Sequence, residues 1–196
     1  MDYLQKLYRA IILDIELYEE VEADKTLTRQ AMMTVAIVAI IESIFYLGSE
    51  DSIIIIGSIE AALGSIIRWV LWAFLIAFVG TRILPEPETD SDTGELLRTL
   101  GFAYAPGIFY IFSSVPIIGF FVQLLVPFWQ LASMTVAVRQ ALDFSSTTRA
   151  IGVCVVAFVL AMIILSATLI ASLSLGSIIS NALQPASPVL GDLIQA

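Results

Sequence analysis

The sequence contains no histidine, only two lysines and a single cysteine, Cys154, among its 196 residues. The absence of histidine excludes imidazole metal sites, serine–histidine pairs and a histidine general base. One cysteine cannot form a disulfide within the chain. Charged residues make up 14% of the chain, against about 25% in soluble domains. We therefore expect no catalytic residues, no metal and no cofactor, and we do not expect a water-soluble protein.

Long apolar runs predict an all-α, polytopic membrane protein. Hydrophobic residues make up 59% of the chain, and a helix needs about 20 mostly apolar residues to cross the hydrocarbon core. The runs lack the alternation of membrane barrel strands. Five of them predict a bundle of transmembrane helices at about residues 30–47, 58–80, 96–115, 117–138 and 150–175, which leaves an N-terminal segment, 1–29, and a C-terminal tail, 176–196.

The N-terminal segment has the pattern of an amphipathic helix. Apolar residues recur at helical spacing from Leu4 to Tyr18, whereas charged residues such as Lys6, Arg9 and Glu16 lie elsewhere around the helix. We predict that this helix lies in the membrane interface. Packing against the bundle is the alternative, and the pattern does not decide between the two.

The positions of the basic residues predict the orientation. Eight of the nine precede the first span, lie between the second and third, or lie between the fourth and fifth: Lys6, Arg9, Lys25, Arg29, Arg82, Arg98, Arg139 and Arg149. By the positive-inside rule these segments are cytoplasmic. With five spans, the amino terminus is then cytoplasmic and the carboxyl terminus external, in the cell (plasma) membrane.

Charged residues inside the predicted spans are candidate functional residues. Arg68 lies near the middle of the second span, where a charge costs about 2.5–3.5 kcal/mol and should face protein, water or an acid. Glu60 is eight residues away on the same helix and is poorly placed to pair with it. Glu42, on the neighbouring antiparallel helix, is the better partner. These residues form either a polar pocket or conduction path, or a structural pair or snorkelling side chain; we favour the structural interpretation.

Two prolines form the second candidate feature. Pro106 and Pro127 lie ten and eleven residues from the turn at Pro116, so both helices should kink at one level near mid-depth. Kinked helices carry substrate sites in transporters. They are also common in bundles without a substrate, which is the interpretation we favour.

Several short patterns predict local structure. Gly101 and Ala105 have the four-residue spacing that allows helices to approach closely. The link from Pro85 to Asp92 is acidic and proline-bearing, which predicts a mobile exposed loop. Asp92 and Glu95 predict a capping box, and Ser145 or Ser146 could cap the last span.

The segment that enters the third span resembles the Yip-domain family, named for Ypt/Rab-interacting proteins. It reads Glu95-Leu96-Leu97-Arg98-Thr99-Leu100-Gly101-Phe102-Ala103-Tyr104-Ala105-Pro106. Trp129, the link Val138-Arg139-Gln140-Ala141-Leu142-Asp143-Phe144-Ser145 and Arg149-Ala150 are also similar to the compact prokaryotic members. The resemblance covers about residues 5–175, with its motifs within about 94–150.

The resemblance implies a fold and a membrane location but no catalytic residues. Eukaryotic members are associated with Rab GTPases through a longer amino-terminal region with an Asp-Leu-Tyr-Gly-Pro-like motif. Residues 1–29 contain no such motif, so Rab binding is not expected here. We expect a non-enzymatic membrane scaffold or adaptor of the Yip-like class, acting in membrane organisation or trafficking-like processes. The alternative is a small transporter or permease with a polar site around Arg68.

The net charge of −9 predicts partners and surroundings. It argues against nucleic acid, which attracts basic surfaces. The lipid bilayer is the expected partner, together with proteins at the cytoplasmic face or a second copy of the chain. Acidic residues crowd the exposed segments, and such segments suit a high-salt cytoplasm. The composition therefore suggests a halophilic archaeal source.

Overall fold

A computed structural model describes residues 2–47, 51–87, 89 and 91–183, except for the side chains at 45–47, 51–56 and 181–183. Every regular element in this part of the chain is helical. The α-helices are α1 (Tyr3–Ile11), α2 (Ile15–Ala23), α3 (Thr28–Leu47), α4 (Asp51–Phe78), α5 (Thr93–Ala103), α6 (Ile118–Ala141) and α7 (Thr147–Leu183). Shorter turns complete them, namely 3₁₀-helices at Lys25–Leu27 and Ala105–Phe112 and a π-helix at Val79–Ile83.

Four helical stretches in the described part of the chain are long and apolar enough to cross a membrane. They correspond to the first, second, fourth and fifth predicted spans and run over Lys25–Ile44, Gly57–Ile83, Ile118–Ala141 and Thr147–Ser180. An all-helical membrane protein is therefore confirmed.

The predicted third span is not one continuous α-helix. α5 ends at Ala103, and the chain continues as the 3₁₀-helix Ala105–Phe112. Pro106 explains the change, because proline has no backbone N–H and its ring clashes with the carbonyl four residues earlier, that of Phe102. The prediction of a single helix over 96–115 is therefore corrected to two helical pieces.

The N-terminal segment forms two helices where the apolar periodicity predicted one. Leu13 has a φ of 62°, a left-handed conformation that breaks the helix after α1. Asp14 then accepts a hydrogen bond from the Glu16 amide at 3.1 Å and caps α2. Arg9 holds the two helices together through ion pairs to Asp14, at 2.6 Å, and Glu20, at 2.8 Å. We call α1 and α2 the N-terminal helix pair.

One face of the N-terminal helix pair packs on the bundle. Its buried apolar and aromatic residues are Leu7, Ala10, Leu17, Tyr18 and Val21, and Lys6 is buried with them. Tyr18 also contacts α6, since its hydroxyl hydrogen-bonds to the Ser133 hydroxyl at 2.7 Å. The packing alternative therefore holds for the inner face, whereas Leu4, Tyr8, Ile12 and Ile15 remain exposed on the outer side.

Small residues allow α3 and α5 to approach closely. A Cβ added to Gly101 would lie 2.6 Å from the Cβ of Ala31 and 3.0 Å from its backbone. A larger residue would therefore push the two helices apart, and the close approach predicted at Gly101 is confirmed.

The predicted caps are present. The Asp92 carboxylate accepts from the Glu95 amide, and the Glu95 carboxylate accepts from the Asp92 amide, both at 2.9 Å. Ser146 caps α7 by accepting from the Arg149 amide at 3.3 Å. The acidic link is also tied to the fold, because the Glu86 carboxylate accepts from the Ser145 amide at 3.0 Å.

The chain divides into two units, residues 1–157 and 158–196. The described part of the second unit is the remainder of α7. Its hydroxyl groups, such as those of Ser166 and Thr168, donate to carbonyls three or four residues earlier, so polar groups inside this apolar helix are satisfied locally. The helix reaches Leu183. It therefore includes the start of the predicted tail, whose residues 184–196 lie outside the described part.

Candidate functional site

A cavity of about 330 Å³ lies between α3, α5 and α6, halfway along the bundle. We call it the mid-span pocket. It contains three polar side chains, those of Glu42, Tyr104 and Gln130. Its full lining is Glu42, Ala103, Tyr104, Pro127, Gln130, Leu131 and Met134. The carboxylate, phenol and amide can exchange hydrogen bonds with a small polar group, but they include no nucleophile with an adjacent base.

Arg68 lies on α4, where its side chain is exposed and turns back along its own helix. Its Nη2 donates to the Ser65 hydroxyl at 3.0 Å. Gly64 leaves room for this, since a Cβ there would lie 3.2 Å from Nη1. The guanidinium interacts electrostatically with Glu42 and Tyr104. Among the described residues, however, it forms no ion pair within 4.0 Å.

The structure brings together some of the predicted site residues. Glu42 and Pro127 line the mid-span pocket, and Arg68 is within electrostatic reach of Glu42. Pro106 is buried at the start of its 3₁₀-helix, two residues after Tyr104, but does not line the pocket. Glu60 is exposed on α4 and also lies outside the lining.

Tyr104 and Gln130 are pocket residues that the sequence analysis did not single out. Gln130 has a signal that could have revealed it, because it is one of two amides, with Gln123, inside a mostly apolar span. Tyr104 follows the last residue of α5, and nothing in its spacing distinguished it from a packing residue. Gly107 packs against Gln130, since a Cβ there would lie 2.6 Å from Nε2.

The basic links 82–98 and 139–149 and the C-terminus of α2 meet at one end of the bundle, which we call the basic end. Arg98 is buried and donates from Nε to the Val21 carbonyl at 3.0 Å and from Nη2 to the Glu22 carbonyl. These carbonyls belong to the last turn of α2, whose partial negative charge attracts a cation. Arg98 therefore fixes the C-terminus of α2 onto α5.

Two further arginines stabilise the links at the basic end, Arg139 within one link and Arg149 between two links. Arg139 donates from Nε to the Phe144 carbonyl at 3.3 Å, across the turn after α6. Arg149 donates to the Pro85 carbonyl at 2.7 Å and pairs with Glu86 at 3.4 Å. The Ser145 amide and Arg149 also hold the pKa of Glu86 below its usual value.

Acidic residues gather around the C-terminus of α2. Burial, together with the charges of Asp143 and Glu95, raises the pKa of Glu22 to about 7. Glu19 adds a smaller effect of the same sign, while Arg98 opposes it. Glu22 thus changes its charge near neutral pH, at the contact between α2 and the bundle. In the part of the chain that the structure describes, no group of three or more acidic or cysteine residues could hold a metal ion.

A family model, the Yip1 domain, matches residues 18–181. This chain belongs to the Yip1 domain family. The matched region begins within α2 and continues through α7, so the Yip1 domain contains the mid-span pocket and the arginine contacts of the basic end. The resemblance noted in the third span is confirmed, and the chain is a membrane protein of the Yip class. No curated protein and no solved structure matches it.

Proposed function

We propose that this Yip1-domain protein is a five-pass, non-enzymatic scaffold of the plasma membrane, with its amino terminus in the cytoplasm. The observation that carries the proposal is that the two basic links, 82–98 and 139–149, and the C-terminus of α2 meet at one end of the bundle. Arg98, Arg139 and Arg149 hold that end together through backbone carbonyls. The positive-inside rule makes such an end cytoplasmic.

The contacts of α5 and α6 support five crossings. Residues 93–112 begin beside the basic end, where Arg98 binds α2, and they lead to the turn before α6. α6 then returns to the basic end, where Gln140 donates to Glu19 at 3.1 Å. The eleven α-helical and eight 3₁₀ residues extend about 32 Å, close to the hydrocarbon thickness of about 30 Å. Two helical pieces therefore cross together as the third span.

The basic end offers a surface for a cytoplasmic protein or a second copy of the chain. A polar depression of about 480 Å³ is lined there by Arg139, Gln140, Asp143 and Phe144. Beside it, α2 presents exposed Glu19 and Glu20. Acidic surfaces of this kind stay soluble in a high-salt cytoplasm, where salt screens their mutual repulsion, which supports a halophilic source.

Crosslinking in native membranes tests the scaffold proposal. A photo-crosslinking residue placed at Glu19, in the full-length chain, should capture a specific protein. The same residue at Ser114, in the turn at the other end of α6, is the matched control and should not capture that protein. Capture of only further copies from both positions, together with solute flux in proteoliposomes, would contradict the scaffold role.

The orientation has its own test. In a Cys154→Ala background, Ser114→Cys should react with a membrane-impermeant maleimide in intact cells, because Ser114 is exposed in the predicted external turn. Thr148→Cys, in the predicted cytoplasmic link, should react only after the cells are opened. The reverse pattern would contradict the cytoplasmic amino terminus.

A small permease is the second candidate, and the mid-span pocket is the observation that favours it. Glu42 and Gln130 give the pocket polar groups in an apolar span, as transporters do at their substrate sites. Solute or ion flux in proteoliposomes that is lost in Glu42→Gln would support transport. Absence of flux, or flux that Glu42→Gln leaves unchanged, would contradict a transport role for this pocket.

A further inference from the structure

The outer side of the N-terminal helix pair carries a stripe of large apolar side chains. Leu4, Tyr8 and Ile12 follow one another at four-residue spacing and share a face of α1. Ile15 extends the stripe past the turn at Leu13. These side chains retain 68%, 64%, 52% and 47% of their exposure in the order of the sequence. An exposed apolar stripe of this length requires an apolar partner.

Hydrogen bonds to the bundle place α1 at a definite depth. The Tyr3 hydroxyl bonds to the Thr34 hydroxyl at 3.0 Å, and Thr34 lies five residues, about 8 Å, into α3 from Arg29. The Ile11 carbonyl accepts from Trp129 Nε1 at 2.8 Å. Trp129 lies ten residues before Arg139, at a depth of about 15 Å along α6. α1 therefore descends from near the basic end to about half the hydrocarbon thickness.

The residues of the bundle near the end of α1 are aromatic or apolar. Phe109 stacks on Trp129 with ring centroids 5.3 Å apart, beside the carbonyl that ends α1. Phe128 and Leu125 of α6 are exposed at the same level. The end of α1 thus contacts a helix long and apolar enough to cross the membrane.

The charge of Arg9 near the turn is compatible with such a depth because acidic side chains compensate it. Arg9 pairs with both Asp14 and Glu20, which lowers the cost of holding charge near hydrocarbon. Glu16 and Glu19 of α2, by contrast, are exposed and require water. The helix pair therefore has an apolar face on α1 and an acidic, water-exposed face on α2.

We propose that the apolar stripe of α1 contacts the acyl chains of the cytoplasmic leaflet down to about mid-bilayer, while α2 keeps its acidic face in a water-filled indentation of that leaflet. The leaflet is then thinned beside α2, because polar headgroups follow the acidic face inward. The occupant of the stripe is lipid. The assignment to the cytoplasmic leaflet rests on the proposed orientation, whereas the contact with acyl chains does not.

Collision measurements on spin labels test this arrangement. Single cysteines at Tyr8, Ile12 or Glu16 are labelled in the full-length Cys154→Ala chain, reconstituted into phosphatidylcholine–phosphatidylglycerol vesicles. Oxygen concentrates in hydrocarbon, whereas a soluble nickel chelate stays in water. We expect oxygen collisions to dominate at Ile12 and, less strongly, at Tyr8. Nickel collisions should dominate at Glu16, which is exposed near the turn.

Three results would overturn the proposal. Dominant nickel collisions at both Tyr8 and Ile12 would place α1 in water. Protection of both positions from both reagents would mean that a second copy, and not lipid, covers the stripe. Dominant oxygen collisions at Glu16 would exclude the indentation. Failure of the orientation would appear separately, as an unreactive Ser114→Cys in intact cells, and would leave the collision pattern unchanged.

Discussion

The hydrogen bond between Tyr18 and Ser133 should set how firmly the N-terminal helix pair is held on the bundle. Both side chains are fully buried, and their oxygens lie 2.7 Å apart. Burial raises the pKa of Tyr18 to about 12, so the phenol stays neutral at physiological pH. A buried hydroxyl that loses its partner costs about 1–3 kcal/mol, whereas loss of both partners costs much less.

The two single substitutions should differ because the two hydroxyls have different alternatives. In Tyr18→Phe, the Ser133 hydroxyl can donate to the Trp129 carbonyl four residues earlier on its own helix, so we expect a loss of about 1 kcal/mol or less. In Ser133→Ala, the Tyr18 hydroxyl lies at the α2–α6 contact, away from α2's own carbonyls. That loss should be about 2 kcal/mol. The double variant should cost no more than Tyr18→Phe alone.

Amide hydrogen exchange of residues 15–23 in nanodiscs measures this effect. A loss of 1.4 kcal/mol in the free energy of local opening increases the exchange rate about tenfold when opening is in rapid equilibrium. Thr135→Ala is the control, because Thr135 donates to the Leu131 carbonyl on its own helix and should leave α2 unchanged. Equal losses in the two single variants, with additive loss in the double variant, would refute the reasoning.

Three further substitutions probe other contacts. Gly101→Ala should destabilise the protein by about 1–3 kcal/mol, because the added methyl group overpacks against Ala31. Gly152→Ala is the control and should not destabilise the protein, because a Cβ at that position would have no neighbour within 4 Å. Thermal unfolding in detergent compares the two variants. The pKa of Glu22 is raised to about 7 in the folded protein, so the fold favours the protonated carboxyl over the carboxylate. The free energy of unfolding should therefore be highest below the unfolded pKa of about 4.3 and should fall as the pH rises through 7. Because Glu22 is partly exposed, we expect a decline of about 1 kcal/mol, visible as a falling Tm that Glu22→Gln abolishes. Arg98→Met should leave the Val21 and Glu22 carbonyls of α2 unpaired and speed proteolysis after α2. An unchanged rate of proteolysis would contradict the role of Arg98 in fixing α2 onto α5.

Helix positions were the part of the fold that the sequence predicted best. Long apolar runs fix a membrane helix because each backbone polar group must be satisfied within the segment. α6 and α7 accordingly begin within three residues of their predicted starts. The break at Pro106 was foreseen as a kink. Its extension into eight residues of 3₁₀-helix depends on packing that no local pattern encodes.

The mid-span pocket was only half predictable. Glu42 and Pro127 were found because charge and proline are rare inside a membrane helix. The distance between Glu42 and Arg68 depends on how α3 and α4 are rotated, and apolar residues around both helices leave that rotation unspecified. Gly64 and Ser65 let the Arg68 side chain fold back along α4. Their role could not be predicted from the sequence, because it depends on the conformation of that side chain.

The contacts of the arginines suggest why most of the basic residues are arginine and not lysine. Positive charge on a link is sufficient to keep that link cytoplasmic, and lysine would serve this purpose as well as arginine. Yet seven of the nine basic residues are arginine. Arg98 and Arg139 each donate to more than one group, and Arg149 binds both a carbonyl and a carboxylate. The guanidinium fork suits such multiple contacts, whereas an ammonium is a point charge on a flexible stem. In the proposed orientation, the arginines that mark the cytoplasmic side therefore also hold that end of the bundle together, which gives a structural reason for the scarcity of lysine.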